Sequence, residues 1–499
     1  MTSETVLIST DDVPVDDIVA IADGAAVVVA PEAWDRMRAS RAVVDSALDR
    51  DEAVYGASTG VGHARDATLD PDSARSIQRG LVGMHAGAFG PGLPRREVRA
   101  VMAARVVGLT RGGAGASPEL AEMLTEMLNR GVTPVVPRTG SVGAGDLAAH
   151  AAIGLVALAE GRAEVGGMVL DGAEALRAAG LGPLSLAPRD GLALISANGV
   201  TLGHGCLVLS RAARVLALAA HVAAASMDAW AANPSVLDPA VQAAKGSVGQ
   251  AVVAGQMRTH LSGSRRSASP RSLQDPLSFR VVPQVHGACL DVLAGAEAAT
   301  TTELNARADN PLADVGSGRV ISNGNFHPML VALGFESLRV ALAHVIQLSD
   351  RRLGHLWDTS VEALGTEPPA APADPGRAAG LLLRYAAAAR STRARALANP
   401  VTLDVPILDL GHEDHATNAP QAVAAADVLL DVALDVLTVE ALCARGVLLA
   451  SPDPTPGTGT VRILDALAAS LLPLGDQPGS QDIHAAARSA LVGIGAEAG

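Results

Sequence analysis

The chain has 499 residues, 49% of them apolar, and a formal net charge of −14. That length supports a large core and by itself predicts two or three domains, while the acidic balance lacks the basic footprint of a nucleic-acid binder. Three cysteines, Cys206, Cys289 and Cys443, are odd in number and far apart, which excludes a disulfide framework, points to a reducing compartment and makes no metal motif.

The acidic start, MTSETVLISTDDVPVDD, lacks the basic-then-apolar layout of a secretory signal. Over the first 200 residues, glycine clusters separate short helices: YGASTGVG (55–62), MHAGAFGPG (84–92), LTRGGAGAS (109–117) and GSVGAGD (140–146). Such clusters supply the positive φ and close backbone approach that loops around a site require. An extended run, TPVVP, precedes the fourth cluster and an alanine-rich helical run follows it.

Beyond residue 200 the pattern changes to long helical periodicity, at 202–231, 328–357 and 420–446. The most apolar stretch, VLALAAHVAAASMDAW (215–230), is interrupted by His221 and Asp228 before reaching membrane-spanning length, so a cytoplasmic protein without a membrane partner is expected. The serine-rich basic segment SGSRRSASPRS (262–272) reads as a mobile, solvated loop. Proline-rich punctuation at 364–377 and 451–458 marks connections. The expected architecture is all-α: residues 1–200 a loop-rich helical domain bearing the site loops, and 201–499 a bundle of long helices.

None of the glycine clusters has the lysine-bearing spacing of a phosphate-binding loop, and GSVGAGD puts an aspartate where the phosphate would sit. HEDH (412–415) places two imidazoles one helical turn apart without a third ligand, so capping or hydrogen bonding is the expected role and no metal is assigned. More informative are polar residues inside apolar, turn-rich strings: Tyr55, His85, Asn198, Gln274, Arg280, Gln284, Asn310, Asn325 and Glu413. Each alone could be a structural hydrogen-bonder. Together they offer an arginine to clamp a carboxylate, amides to orient a ligand, and a phenol and an acid for proton transfer.

These strings resemble the histidine and phenylalanine ammonia-lyase family, which includes tyrosine ammonia-lyases and related aminomutases. YGASTGVG is similar to the family's tyrosine loop and MHAGAFG to its histidine-bearing loop. VTPVVPRTGSVG, LSLAPRDGLALISANG, QDPLSFRVVPQVHGA, RADNPL, SNGNFHPMLVA and GHEDHAT follow in family order. The resemblance implies an all-α homotetramer with each site assembled from three chains. It implies Tyr55 as base, Asn198 and Gln284 supporting electrophile and oxyanion, and Arg280 binding the substrate carboxylate. Asn310, Phe326 and Glu413 would line the pocket, and His85 together with Glu413 points to the histidine-type branch.

In the family an alanine-serine-glycine triplet cyclises into 4-methylideneimidazol-5-one (MIO), and loss of the serine hydroxyl creates the electrophilic carbon. Here Ala144 is followed directly by Gly145 and Asp146, so the serine is absent and MIO is not expected. Leu277, in QDPLS, stands where the family carries a second tyrosine, and Gly411 and His412 replace a common asparagine–glutamine pair. The expected function is carbon–nitrogen elimination from a histidine-like or aromatic L-amino acid, or a derivative, without that electrophile. The alternative is a catalytically silent homologue that binds a small amino acid or serves as a partner subunit.

Overall fold

A computed structural model describes residues 5–364, 375–403, 405–452, 455–475 and 478–497. Most of the proline-rich stretch 364–377, and residues 453 and 454 of the second, lie outside the described residues. The described chain is all-α with a few short strands, and it divides into two compact units.

The first unit comprises Met1–Ser210, Ala296–Phe335 and Pro400–Ala424. A division at residue 200 does not register the two returning segments, because their partners lie a hundred or more residues away in sequence. In chain order the unit carries α1 (Val15–Asp23), α2 (Pro31–Asp49), α3 (Pro71–His85), α4 (Arg95–Thr110), α5 (Pro118–Asn129), α6 (Leu147–Ala157), α7 (Gly172–Ala178) and α8 (Asp190–Ile195). The strands are two to four residues long, and the parallel pair Thr5–Ile8 and Ala26–Val29 alternates buried and outward residues. Asp70 caps α3 by accepting from the Asp72 and Ser73 amides at 3.0 Å, with Pro71 at the first helical position. That cap fixes the start of the helix whose last residue is His85.

α4 is buried almost all round from Val98 to Thr110, so the two arginines in that stretch must find partners inside. Arg99 donates to the Ile21 and Leu128 carbonyls, and Arg105 pairs with Asp309, both side chains 3% exposed. A smaller apolar cluster of Val43, Val44, Ala47, Val54, Ala57 and Ala313 holds the tyrosine loop against α2.

The second unit comprises Arg211–Gly295, Glu336–Asn399 and Ala425–Gly499. Four long helices contribute residues to both units: α9 (Gly199–Trp230), α14 (Val282–Leu304), α15 (Met329–Leu364) and α17 (Ala419–Leu449). Between and after them come α10 (Pro239–Lys245), α11 (Val248–His260), α12 (Arg265–Ala268), α13 (Leu277–Arg280), α16 (Pro375–Leu397), α18 (Thr458–Leu471) and α19 (Ser480–Glu497). Small residues let these helices approach closely. A Cβ on Gly287 would sit 2.3 Å from the Gln250 amide nitrogen, so α14 and α11 cross backbone to backbone there. Arg352 and Glu440, both fully buried, form a two-pronged ion pair that also takes the Ser226 and Ser349 hydroxyls.

Two expectations are corrected. The basic segment 262–272 is tied down rather than free: Arg266 donates to the Asp228 and Ala229 carbonyls and to Ser451, and Arg271 stacks over Trp230 at 4.1 Å. Residues Asp190–Trp230 and Met329–Glu362 also reach membrane-spanning length and hydropathy, with His221 and Asp228 accommodated. Of the first apolar window 83% is buried, which marks a core helix; for the second the share is 44%.

Candidate functional site

The GSVGAGD turn is held from three sides. Gly143 and Gly145 adopt φ of +79° and +74°, conformations that favour glycine. The Ser141 hydroxyl accepts from the Gly143 amide and donates to Asp146 at 2.5 Å. Asp146, fully buried, also accepts from the Thr201 amide at 2.9 Å, while its own amide donates to the Ala197 carbonyl. Burial pushes this carboxyl above its ordinary range and those hydrogen bonds oppose the shift. From the returning segment, Thr417 donates to the Gly143 carbonyl at 2.7 Å and the Asn418 amide to the Val142 carbonyl at 2.8 Å.

Asn198 closes the turn. Its Oδ1 accepts from the Gly145 amide at 3.1 Å, while Nδ2 donates to Glu303 Oε1 at 3.1 Å and to the Phe326 carbonyl at 3.0 Å. The Gly145 nitrogen is thereby engaged as a donor. No hydroxyl stands between Ala144 and Gly145 to act as a leaving group, so these residues do not fit an MIO ring.

The tyrosine loop is a second centre. The Gly62 amide donates to the Tyr55 phenol oxygen at 2.8 Å. A Cβ on Gly62 would lie 2.6 Å from Asp409 Oδ2, so this glycine permits the 407–415 segment to close on the loop. His63 Nδ1 lies 3.1 Å from Asp409 Oδ1, and Arg65 donates to His412 Nε2 at 2.7 Å. Asp409 and Leu410 adopt left-handed φ of +43° and +56°, a strained conformation for side-chain-bearing residues.

His85 donates through Nδ1 to the Leu81 carbonyl at 2.7 Å. Desolvation, then the Asp409 charge, holds the Glu413 carboxyl above its usual range, and a protonated His85 opposes them. These side chains thus share one electrostatic neighbourhood. His412 and His415 are split: the first meets Arg65, the second His327 at 2.9 Å, and no group of three or more metal-ligating side chains occurs among the described residues.

Asn310 is turned inward, its Oδ1 accepting from the Asn323 amide at 3.0 Å, so it shapes the 310–326 loop. Phe326 offers its carbonyl to Asn198, and its ring meets His327 edge-on. Asn325 lies on the surface. Leu277, Arg280 and Gln284 belong to the second unit. Leu277 is 63% exposed at the start of α13, and Arg280, at its end, has no ion-pair partner among the described residues. Gln284 buries an Oε1 that has no hydrogen-bond partner among the described residues. Gln274 is exposed nearby.

Sequence reasoning missed Glu303, Asp309 and Ser141. Glu303 showed one readable signal, a carboxylate near the end of the mostly small and apolar α14, but nothing in sequence named its partner.

The chain thus combines an all-α scaffold with a tyrosine loop, a hydrogen-bonded glycine turn before α6, and His85 and Glu413 in one unit. Residues 13–469 match the aromatic amino acid lyase family model. The chain is 36% identical over 456 residues to the histidine ammonia-lyase of Anaeromyxobacter dehalogenans strain 2CP-C, covering 88% of this chain and 89% of that one. Among solved structures it is similar to the ergothioneine-degrading ergothionase of Treponema denticola, with a TM-score of 0.91, 25% identity, and coverage of 98% of this chain and 99% of that one. It is likewise similar to the histidine ammonia-lyase of Trypanosoma cruzi, with a TM-score of 0.87, 25% identity, and coverage of 99% and 94%. The chain belongs to the aromatic amino acid lyase family.

Proposed function

We propose that the protein eliminates a nitrogen group from a histidine-like or aromatic L-amino acid derivative without an MIO electrophile. The observation that carries this reading is the direct Ala144–Gly145 junction, with the Gly145 amide spent on Asn198. Tyr55, oriented by the Gly62 amide, is the base that takes the β-proton. Arg280 binds the substrate carboxylate as a two-pronged donor, and Gln284 orients it from the next turn. His85 and Glu413, with Asn310 and Phe326, shape the pocket for the side-chain ring.

Without a covalent activator, the carbon–nitrogen bond must break with the electron pair leaving on a nitrogen that is already a competent leaving group. A primary ammonium can lose its own proton to the base and stop being one. A quaternary ammonium has no such proton and stays charged, so it suits this site. Similarity to an ergothioneine-degrading enzyme supports a derivative rather than a plain amino acid.

The test is a panel of L-histidine, L-phenylalanine, L-tyrosine, their Nα-trimethyl derivatives and ergothioneine, followed by release of ammonia or amine and absorbance of an unsaturated acid. Turnover confined to the quaternary substrates is expected, and no turnover from a folded protein overturns the reading. Mass analysis of the peptide spanning 134–160 is expected to show no loss of water.

Leu277 in place of the second tyrosine favours the alternative, a silent homologue that binds a small amino acid or pairs with another subunit. Inserting serine between residues 144 and 145 together with Leu277→Tyr then creates activity, whereas a wild-type chain that turns over refutes it. We further propose a cytoplasmic homotetramer. Leu403, Ile407 and Leu410, each at least 70% exposed in the single chain, are the apolar surface that other copies would cover, and sedimentation measures the assembly.

A further inference from the structure

We propose that Glu303 is a positioning residue for the 143–146 turn, acting through the side-chain amide of Asn198. The proposal rests on the placement of that turn in the reactive site.

The argument begins with which way Asn198 points. Its nitrogen faces two acceptor oxygens, Glu303 Oε1 and the Phe326 carbonyl, and its oxygen faces one group that only donates, the Gly145 amide. The reversed amide would set oxygen against two oxygens and nitrogen against an N–H, so the orientation follows from the partners. Both Asn198 donors are thereby consumed. The side chain offers the turn an acceptor, and one Oδ1 lone pair remains.

Of the two acceptors, only the carboxyl group is a side chain. Glu303 sits one residue before the end of α14 and is desolvated there, and Asn198 is 4% exposed. Both border a cavity of about 30 Å³, together with Ser196, Arg105, Asp309 and Phe326. An apolar side chain at position 303 would leave one Nδ2 proton unpaired in a buried setting. The amide would then turn into the cavity, and the Gly145 amide would lose its acceptor. Glu303 thus reaches the turn through one intermediary, with contacts of 3.1 Å at each step.

Hydrogen exchange at the peptide covering 140–147 tests this without any ligand. Glu303→Met, which fills a similar volume but cannot accept, is expected to speed exchange of the Gly145 amide about tenfold, equivalent to about 1.4 kcal/mol. Exchange in α4 and α14 should stay as in wild type, and Glu303→Gln, which keeps an acceptor oxygen, should restore protection. Glu303→Ala is the second variant should the methionine variant fail to fold. A change at Gly145 of less than twofold, or a uniform rise across α4, α6 and α14, overturns the proposal. A chain that turns over no substrate sinks the proposed reaction but leaves this measurement intact.

Discussion

The turn at 140–146 and the paired loops at 55–66 and 407–415 lie in the same unit but are built in opposite ways. Around the turn, every named polar group is engaged: Asp146 with Ser141 and Thr201, Gly143 with Thr417, Gly145 with Asn198. Around the loops, charged and imidazole groups stand at the surface, His63 and Glu413 among them, and two residues hold left-handed backbone. The groups able to move protons are in the loops. The framework contacts of the turn and the ionisable groups of the loops are thus carried by different residues.

The largest effect that would sharpen this contrast is Tyr55→Phe. It keeps the ring and removes the phenol oxygen, so turnover of the accepted substrate is expected to fall by about 10²–10⁴-fold with little change in unfolding. The reverse pattern is expected at the turn. Asp146→Ala strands the Ser141 hydroxyl and the Thr201 amide in the interior and should lower stability by about 3 kcal/mol in denaturant unfolding.

The pH dependence of Asp146 has a definite sign. Burial raises its folded pKa, so its stabilising contribution is complete below the unfolded carboxylate range and declines as pH rises through the raised value. Asp146→Asn should remove that slope, measured as unfolding midpoints across acid pH. A stable alanine variant, or a catalytically competent phenylalanine variant, would break the comparison.

How much of this was legible in sequence depended on distance along the chain. The strings YGASTGVG and GSVGAGD announced loops that need glycine, because their own residues set the backbone, and Gly62, Gly143 and Gly145 do adopt positive φ. Long helices were legible from period alone. Glu303 was not, because its partner Asn198 is 105 residues away and a carboxylate near a helix end usually faces water. For the same reason the segment 262–272 read as a free loop: its anchors, Asp228 and Ser451, come from elsewhere in the chain. Asn310 read as pocket-lining, and its contact with Asn323 shows how a local loop bond competes with that use.

Smaller effects probe the loops themselves. Gly62→Ala sets a methyl group 2.6 Å from Asp409 Oδ2 on a backbone at φ +56°, and a loss of about 1–2 kcal/mol is expected. Since the Gly62 amide also holds Tyr55, the same variant should lower turnover, whereas an equally destabilising change inside α2 should not.

The smallest and most diagnostic effect concerns Glu413. Desolvation, then the Asp409 charge, raise its pKa, and His85 opposes them. If the carboxylate form receives the substrate ring's N–H, kcat/KM climbs as pH rises through a value above the ordinary carboxylate range. Asp409→Asn removes the like charge and should move that limb to lower pH by a fraction of a unit, because the pair is near solvent and screened. Glu413→Gln should remove the limb while leaving the Tyr55-dependent step in place. A limb that stays fixed in both variants would show that the ring is read elsewhere, and the loops would then differ from the turn in mobility of charge but not in function.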